Sequence, residues 1–310
     1  MVMDLKSAIR EQGLALGLDR IGFARAEVLP GEALKNWLQK GYNAEMAWMA
    51  ARLPMRLDPR VLMPGARTVI VAATNYFSPG EGSGDPRLAC IARYALGEDY
   101  HRVLGRRLKK LLVFIRTLAP GVEARICVDS APIWEKEWAR LAGIGWRGRH
   151  SLIIAPQLGS WITLGEIVIS LDLEPDQPLS DRCGSCTLCL EACPTGALIA
   201  PSTLDARRCS AYHTIESGAA IPEAVRRAMA NRVFGCDICQ SVCPWNRQWA
   251  VPAADPCFHP RPHWQNAPLA ELALWPEERY SAAAQHSPLQ RRGYDGFIRN
   301  VEAALANLHE

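Results

Sequence analysis

Residues 183–194 read Cys183-Gly-Ser-Cys186-Thr-Leu-Cys189-Leu-Glu-Ala-Cys193-Pro194, three closely spaced cysteines, a fourth after three more residues, and a proline. This is the bacterial ferredoxin spacing, in which three near thiolates wrap one [4Fe–4S] cubane and the fourth points away to ligate another. One run therefore implies a second cluster. It is supplied incompletely by Cys236-Asp-Ile-Cys239-Gln-Ser-Val-Cys243-Pro244, where Val233 stands at the expected first position. Cys209, between the runs, is the substitute. The sets are then Cys183, Cys186, Cys189 and Cys243 for one cluster, and Cys193, Cys209, Cys236 and Cys239 for the other. A pair of Cys₄ zinc sites also uses Cys-x₂-Cys spacing, but normally as two pairs per metal rather than an interlocked run ending in proline. The three-Cys motif of radical enzymes needs its spacings in another order.

Working outward, eight of the chain's 11 cysteines lie between Cys183 and Cys243. Metal ligation explains them better than disulfides. Cys90, Cys127 and Cys257 read as small core residues. The 310 residues, 49% hydrophobic, suffice for at least one large core and for more than one domain. The start Met-Val-Met-Asp-Leu-Lys lacks the basic and apolar regions of a secretory signal, and no uninterrupted apolar stretch reaches about 18 residues, so the expectation is a cytoplasmic protein without membrane contact. The formal charge is +3 with every cysteine neutral. Two clusters at roughly −2 apiece leave a holoprotein near −1, and an anionic partner then needs a local basic patch.

Three regions emerge. Residues 1–175 mix helical and strand patterns: Lys6 to Leu18 and Ile133 to Ala142 have helical periodicity, while Arg67 to Ala73, Ser151 to Ala155 and Ile167 to Leu171 read as strands. Glu174 to Leu179, with Pro175 and Pro178, reads as a linker. Residues 176–252 hold the cysteines. Residues 253–310 open on a proline-rich wrap and close on an amphipathic helix from Tyr294 to Leu308. The expected fold is of mixed α/β (α+β) class with a ferredoxin-like domain of two clusters and a short helical C-terminal segment. About 170 residues before the first cluster are more than an electron carrier needs. Gly143-Ile-Gly145-Trp-Arg-Gly148 follows a helical pattern rather than a strand, which argues against a dinucleotide loop.

Several further stretches occur together: Ile91-Ala-Arg-Tyr-Ala-Leu-Gly-Glu-Asp-Tyr-His101, Val128-Asp-Ser-Ala-Pro-Ile-Trp-Glu135, Gly143-Ile-Gly-Trp146, Gly159-Ser-Trp161 and Phe234-Gly-Cys-Asp-Ile-Cys-Gln240. With Leu62-Met-Pro-Gly-Ala-Arg67 and Cys243-Pro-Trp-Asn246, they make the chain resemble the epoxyqueuosine reductase family from its N-terminal helix to about Asn307. The resemblance implies a cobalamin-dependent enzyme of the last step of queuosine synthesis, which reduces the epoxide on a modified wobble guanosine of tRNA to the cyclopentene. Electrons would pass from an external donor of flavodoxin or ferredoxin type through two clusters to cob(II)alamin, and cob(I)alamin would deliver them. The first region would then bind base-off cobalamin.

Asp129 matches the family's proposed general acid, a role that needs a setting able to raise its pKa. An N-cap aspartate before a helix is the plainer reading. The resemblance also carries cobalamin contacts over to Arg56, Ala92, Ile153, Leu164 and Ala211, where core packing is the alternative for the apolar members. Lys136 stands where the family commonly has Arg, Arg149-His150 where it has Lys-Asn, and His213 where it has an apolar residue. The tRNA anticodon stem-loop would meet basic groups at Arg102, Arg106, Arg107, Lys109 and Lys110, at Arg207 and Arg208, at Arg226, Arg227 and Arg232, or at Arg291, Arg292 and Arg299. Tyr100, His101 and Trp245 are candidates for stacking on a base. Longer relatives append helical repeats, of which Ser287 to Leu308 would be a truncated, HEAT-like remnant. A monomer is expected. A corrinoid reductive dehalogenase and a two-cluster electron carrier are the alternative functions.

Overall fold

The computed structural model describes residues 4–80 and 84–308. Its centre is a four-stranded sheet of β1 (Arg20–Arg25), β2 (Thr68–Asn75), β4 (Ala124–Cys127) and β7 (Ile162–Ile169); β3 (Cys90–Ile91), β5 (Trp146–Arg147) and β6 (Ile153–Ile154) are short strands outside it. The order is β1-β2-β7-β4, with every pairing antiparallel. All residues of β2 are buried because the sheet is covered on both faces. Alternation along β2 sends Ile70 and Ala72 into a core with Ile9, Leu108, Leu111 and Ile115, from the helices Leu5–Ala15 and Tyr100–Leu118. Val69, Val71 and Ala73 face the other way, against Trp138 and Ala139 of the helix Glu135–Leu141.

The segment read as a linker has no helix or strand, but it is anchored. Asp176 accepts hydrogen bonds from Arg10 Nη2 (2.8 Å) and the Phe23 backbone N–H (3.0 Å), and pairs with Lys6 at 2.7 Å. The cysteine-rich region contains the hairpin β8 (Leu198–Ala200) and β9 (Thr203–Leu204), then β10 (Arg232–Phe234). β10 pairs in parallel with β3 of the first region. The helix Gly293–Ala306 packs Phe297, Val301 and Ala304 against Val233 and Phe234 of β10 and Ile91 of β3. Asn300, fully buried, donates to the carbonyls of Thr214 and Val233 at 2.8 Å each. The proline-rich stretch folds into tight turns at Pro256–Phe258 and Pro262–Trp264, burying Phe258 and Trp264. No described helix is long and apolar enough to cross a membrane.

Candidate functional site

The cysteines are placed by short helices and their caps. Cys189 lies in the helix Leu188–Glu191 and Cys239 in Ile238–Ser241, while Cys209 and Cys243 are the N-cap residues of Ser210–Ile215 and Pro244–Trp249. A cap thiol faces the unpaired N–H groups of the first helical turn, which favour its anionic form. Burial pushes the Cys189 thiol up to about 11, followed by the charges of Cys243, Cys183 and Cys186. Burial likewise raises Cys239 well above the usual thiol range, and Cys236, Cys209 and Cys193 are among the charges that add to it. Two groups of four thiols thus sit within electrostatic reach of one another. The first group, Cys183, Cys186, Cys189 and Cys243, lines one common space. As thiolates, four such groups would repel one another unless a cationic iron–sulfur unit lay among them. Cys193 is the exception in sign: burial raises it, but the Thr195 hydroxyl and the backbone N–H groups of Leu198, Ala197 and Thr195 bring it below the usual thiol value. Of the remaining cysteines, Cys127 is buried and Cys90 and Cys257 are half-buried.

Next to the second group two spaces open. One, of about 220 Å³, is lined by Ala92, Ile153, Leu164 and Ala211 together with Lys136, Tyr94 and Cys236. The other, of about 410 Å³, is lined by His101, Asp129, Arg291, Cys209 and again Tyr94 and Ala211. Tyr94, Ala211 and Ile215 line both. Gly235, at φ +72°, lines the first, and a Cβ there would lie 2.5 Å from the Ala92 Cβ. The two spaces adjoin and are lined by apolar and polar groups together, a lining compatible with a group of mixed polarity such as a corrin. Arg56 lines neither. It is buried beneath, over the Trp48 ring at 5.1 Å and with Nη1 at 3.4 Å from the Ile133 carbonyl, and its charge acts on Glu135 and Asp129.

Asp129 projects from the turn after β4 with φ +47°, a strained backbone for a non-glycine residue. Its N–H donates to Glu135 Oε1 at 2.5 Å. Its Oδ2 lies 3.1 Å from His101 Nε2, and His101 Nδ1 lies 2.7 Å from Asp99 Oδ1. Asp99 is also the N-cap of the helix that carries His101, so helix initiation fixes the imidazole. Tyr100 stacks on it at 4.2 Å. Burial alone would raise Asp129, but the hydrogen bond and charge of His101, with Arg291, hold its carboxyl below the usual value. Burial opposes a charged His101, yet Asp129 and Asp99 together push it up to about 9. The burial that would raise Asp129 is thus offset by His101, and both shifts favour the proton on His101. Behind the pair, burial and the Asp129 charge push Glu135 up to about 7, and the fully buried Glu166, whose carboxylate oxygens have no described partner, lies well above the carboxylate range. Burial and the charge of Arg147 lower Lys136.

A family model described as "Epoxyqueuosine reductase QueG, DUF1730" matches residues 56–130, and one described as a 4Fe-4S double cluster binding domain matches residues 182–246. The epoxyqueuosine reductase of Salmonella typhimurium is 43% identical over 308 residues, covering 98% of this chain and 80% of the relative. The chain belongs to the epoxyqueuosine reductase family. The relative from Gloeobacter violaceus is 42% identical, covering 96% of this chain and 94% of its own. A crystal structure of epoxyqueuosine reductase with an epoxyqueuosine-modified tRNA-Tyr stem loop superposes with a TM-score of 0.91 at 30% identity, covering 98% of this chain and 81% of the other. The Bacillus subtilis enzyme, crystallised with its catalytic aspartate loop swung out of the active site, gives 0.89 at 29% identity with the same coverage.

Within this epoxyqueuosine reductase fold, many of the basic groups singled out in the sequence serve the protein itself. Arg106 pairs with Glu98 at 2.8 Å, Arg107 with Asp255, Arg207 with Asp205 at 2.7 Å and Arg291 with Glu216 at 2.7 Å. Arg299 donates to the carbonyls of His213, Ser217 and Ala219. Lys109 and Lys110 are exposed. Trp245 is remote from the Asp129 space. It packs with Trp146 and Trp249 and lines the space among Cys183, Cys186, Cys189 and Cys243. His213 Nε2 donates to the Arg207 carbonyl at 2.8 Å. Sequence reading considered His101 only for stacking. The Asp99-Tyr-His101 spacing carries a cap signal, but its link to Asp129, 28 residues away, is tertiary.

Proposed function

We propose that this chain is an epoxyqueuosine reductase acting on epoxyqueuosine-modified tRNA to give queuosine. The observation that carries the reading is the Asp129–His101 pair opening onto a space that adjoins the second group of thiols, in a chain homologous over nearly its whole length to epoxyqueuosine reductases. Two [4Fe–4S] clusters serve it, one held by Cys183, Cys186, Cys189 and Cys243, the other by Cys193, Cys209, Cys236 and Cys239. Cobalamin would lie against Ala92, Ile153, Leu164 and Ala211, with Arg56 supporting the turn from below. When bound, cobalamin supplies a strongly reducing, nucleophilic metal centre for opening the epoxide.

The chain's own residues do the rest. Reduction of the epoxide to an alkene takes two electrons and two protons and releases water as both C–O bonds break. Asp129 would bond the departing oxygen while His101 Nε2 provides the first proton through it, so that the leaving group departs as a hydroxyl rather than an alkoxide. Arg291, paired with Glu216, adds its charge to that of His101 in holding the Asp129 carboxylate. Cys183, Cys186, Cys189 and Cys243 would hold the cluster that takes electrons from a flavodoxin- or ferredoxin-type donor, and Cys209 and Cys236, which line the reaction spaces, would hold the second beside them. A division into 1–175, 176–252 and 253–310, a monomeric state and a cytoplasmic location complete the proposal.

The test is nucleoside mass spectrometry. Epoxyqueuosine-containing tRNA is incubated anaerobically with reconstituted protein, cobalamin and a strong reductant, beside a cobalamin-free control. Loss of one oxygen from the nucleoside only with cobalamin is expected. An unchanged nucleoside, with clusters and bound corrin verified, would mean another substrate.

A further inference from the structure

His150 is 3% exposed, at the turn that joins β5 to β6. Its Nδ1 accepts the Leu152 backbone N–H at 3.2 Å, so a neutral imidazole here carries its hydrogen on Nε2. That Nε2 is wholly buried and has no hydrogen-bond partner among the described residues. A buried donor without an acceptor costs about 1–3 kcal/mol and calls for an explanation. The turn packs closely around the ring. Its Cε1 lies against Gly148, where an added Cβ would come within 2.9 Å, and Ser151 N–H closes the turn onto the Gly148 carbonyl at 2.9 Å. His150 lines the same space as Cys183, Cys186, Cys189 and Cys243.

We infer that His150 is a hydrogen-bond donor to a sulfur of the cluster held by those four cysteines, and that it sets that cluster's reduction potential above the value the bare cage would give. The inference rests on the assignment of these cysteines to one cluster. Adding an electron makes the cluster more anionic, so a donor fixed at its sulfur stabilises the reduced form more than the oxidised form. The same hairpin turns Leu152 and Ile153 toward the space proposed for cobalamin, and Ile154 and His150 toward the cluster. Tuning the first cluster upward would ease acceptance of an electron from the external donor.

The experiment is an EPR-monitored redox titration of the holoprotein and of His150→Leu and His150→Gln, each checked for full iron and sulfide. At a fixed potential, loss of the donor in His150→Leu should lower the reduced-to-oxidised ratio of one cluster about tenfold, equivalent to about 59 mV for one electron, and leave the other cluster unchanged. His150→Gln should recover most of it. Equal potentials in fully loaded His150→Leu, or an equal fall in both variants, would overturn the inference, the second outcome by exposing a packing effect. Wild-type protein grown on ¹⁵N-histidine decides the matter should either variant fail to load. Pulsed EPR of the reduced state should show one histidine nitrogen coupled to a cluster, and its absence would mean that Nε2 meets water instead. Failure of wild-type protein to hold two clusters would sink the cluster assignment itself, which separates that failure from this one.

Discussion

The placement of the acid proton decides what pH does to this site. With Asp129 depressed and His101 raised to about 9, the pair as a whole is a proton donor across the neutral range. Turnover should therefore hold near neutrality and decline as pH rises through about 9, where the imidazolium is lost. In His101→Gln the aspartate must carry the proton alone, so the same limb should move down toward the ordinary carboxylate range, about 4, with a loss of about 10²–10⁴-fold at neutral pH. A rate profile of the variant that still breaks near 9 would remove His101 from the proton path. The sign for stability follows as well. His101 rises from 6.5 to about 9 on folding, so its stabilisation is complete below about 6.5 and disappears as pH climbs through about 9. Asp129→Ala should keep both clusters, measured as iron and sulfide, and nearly abolish turnover; normal turnover would show that Asp129 is dispensable. At this scale the cysteine motif was readable because ligand spacing is local. The His101–Asp129 contact was not, since it joins a helix start to a strand end only after the sheet has formed.

Among the elements, strands that carry strong β-branched runs were visible and those that depend on partners were not. Thr-Val-Ile-Val-Ala marks β2, and its register with β7 runs from Thr68↔Ile169 to Asn75↔Ile162. β1, Arg-Ile-Gly-Phe-Ala-Arg, and the four-residue β4 are edge strands defined by pairing to β2 and β7, which no local pattern reveals. The apparent linker was legible as irregular backbone but not as an anchored one, because Asp176 gains its partners Lys6 and Arg10 from the other end of the region. The loop before β7 shows what such tertiary fixing costs to disturb. Gly159 has φ +70°, and a Cβ there would lie 2.2 Å from Asn246 Oδ1. That oxygen accepts the Ser160 N–H at 2.6 Å, while Asn246 Nδ2 donates to Ser160 Oγ and to the Gln240 carbonyl at 2.8 Å each. Gly159→Ala should cost about 2–5 kcal/mol, combining backbone strain with displaced buried hydrogen bonds. Thermal unfolding of the holoprotein reads it directly, and an unshifted midpoint would show that the helix Pro244–Trp249 does not depend on this contact.

In the molecule as a whole, the second cysteine group ties together parts of the chain that local structure leaves separate. Cys193 follows the first ferredoxin-like run, Cys209 caps the helix Ser210–Ile215, and Cys236 and Cys239 follow β10, which itself pairs with β3 of the first region. A cluster held at this junction would close the assembly and, through Cys209, adjoin the space where His101 and Asp129 lie. The group of Cys183, Cys186, Cys189 and Cys243 opens elsewhere, between Arg149 and Arg182. Positive charge there suits an acidic electron donor. This geometry implies a series circuit, so the two clusters should not be exchangeable. Cys209→Ser should reduce bound iron from about eight to about four atoms per chain, leave the first cluster reducible by a strong chemical reductant, and stop turnover with the physiological class of donor. Losing a brace at the junction should also lower the unfolding temperature by more than the matching loss of the outer cluster in Cys186→Ser. Iron analysis, EPR of the reduced variants and nucleoside mass spectrometry read the three expectations separately. Sustained turnover by Cys209→Ser with four irons bound would show that electrons reach the reaction space without the inner cluster, and the series order would then be wrong.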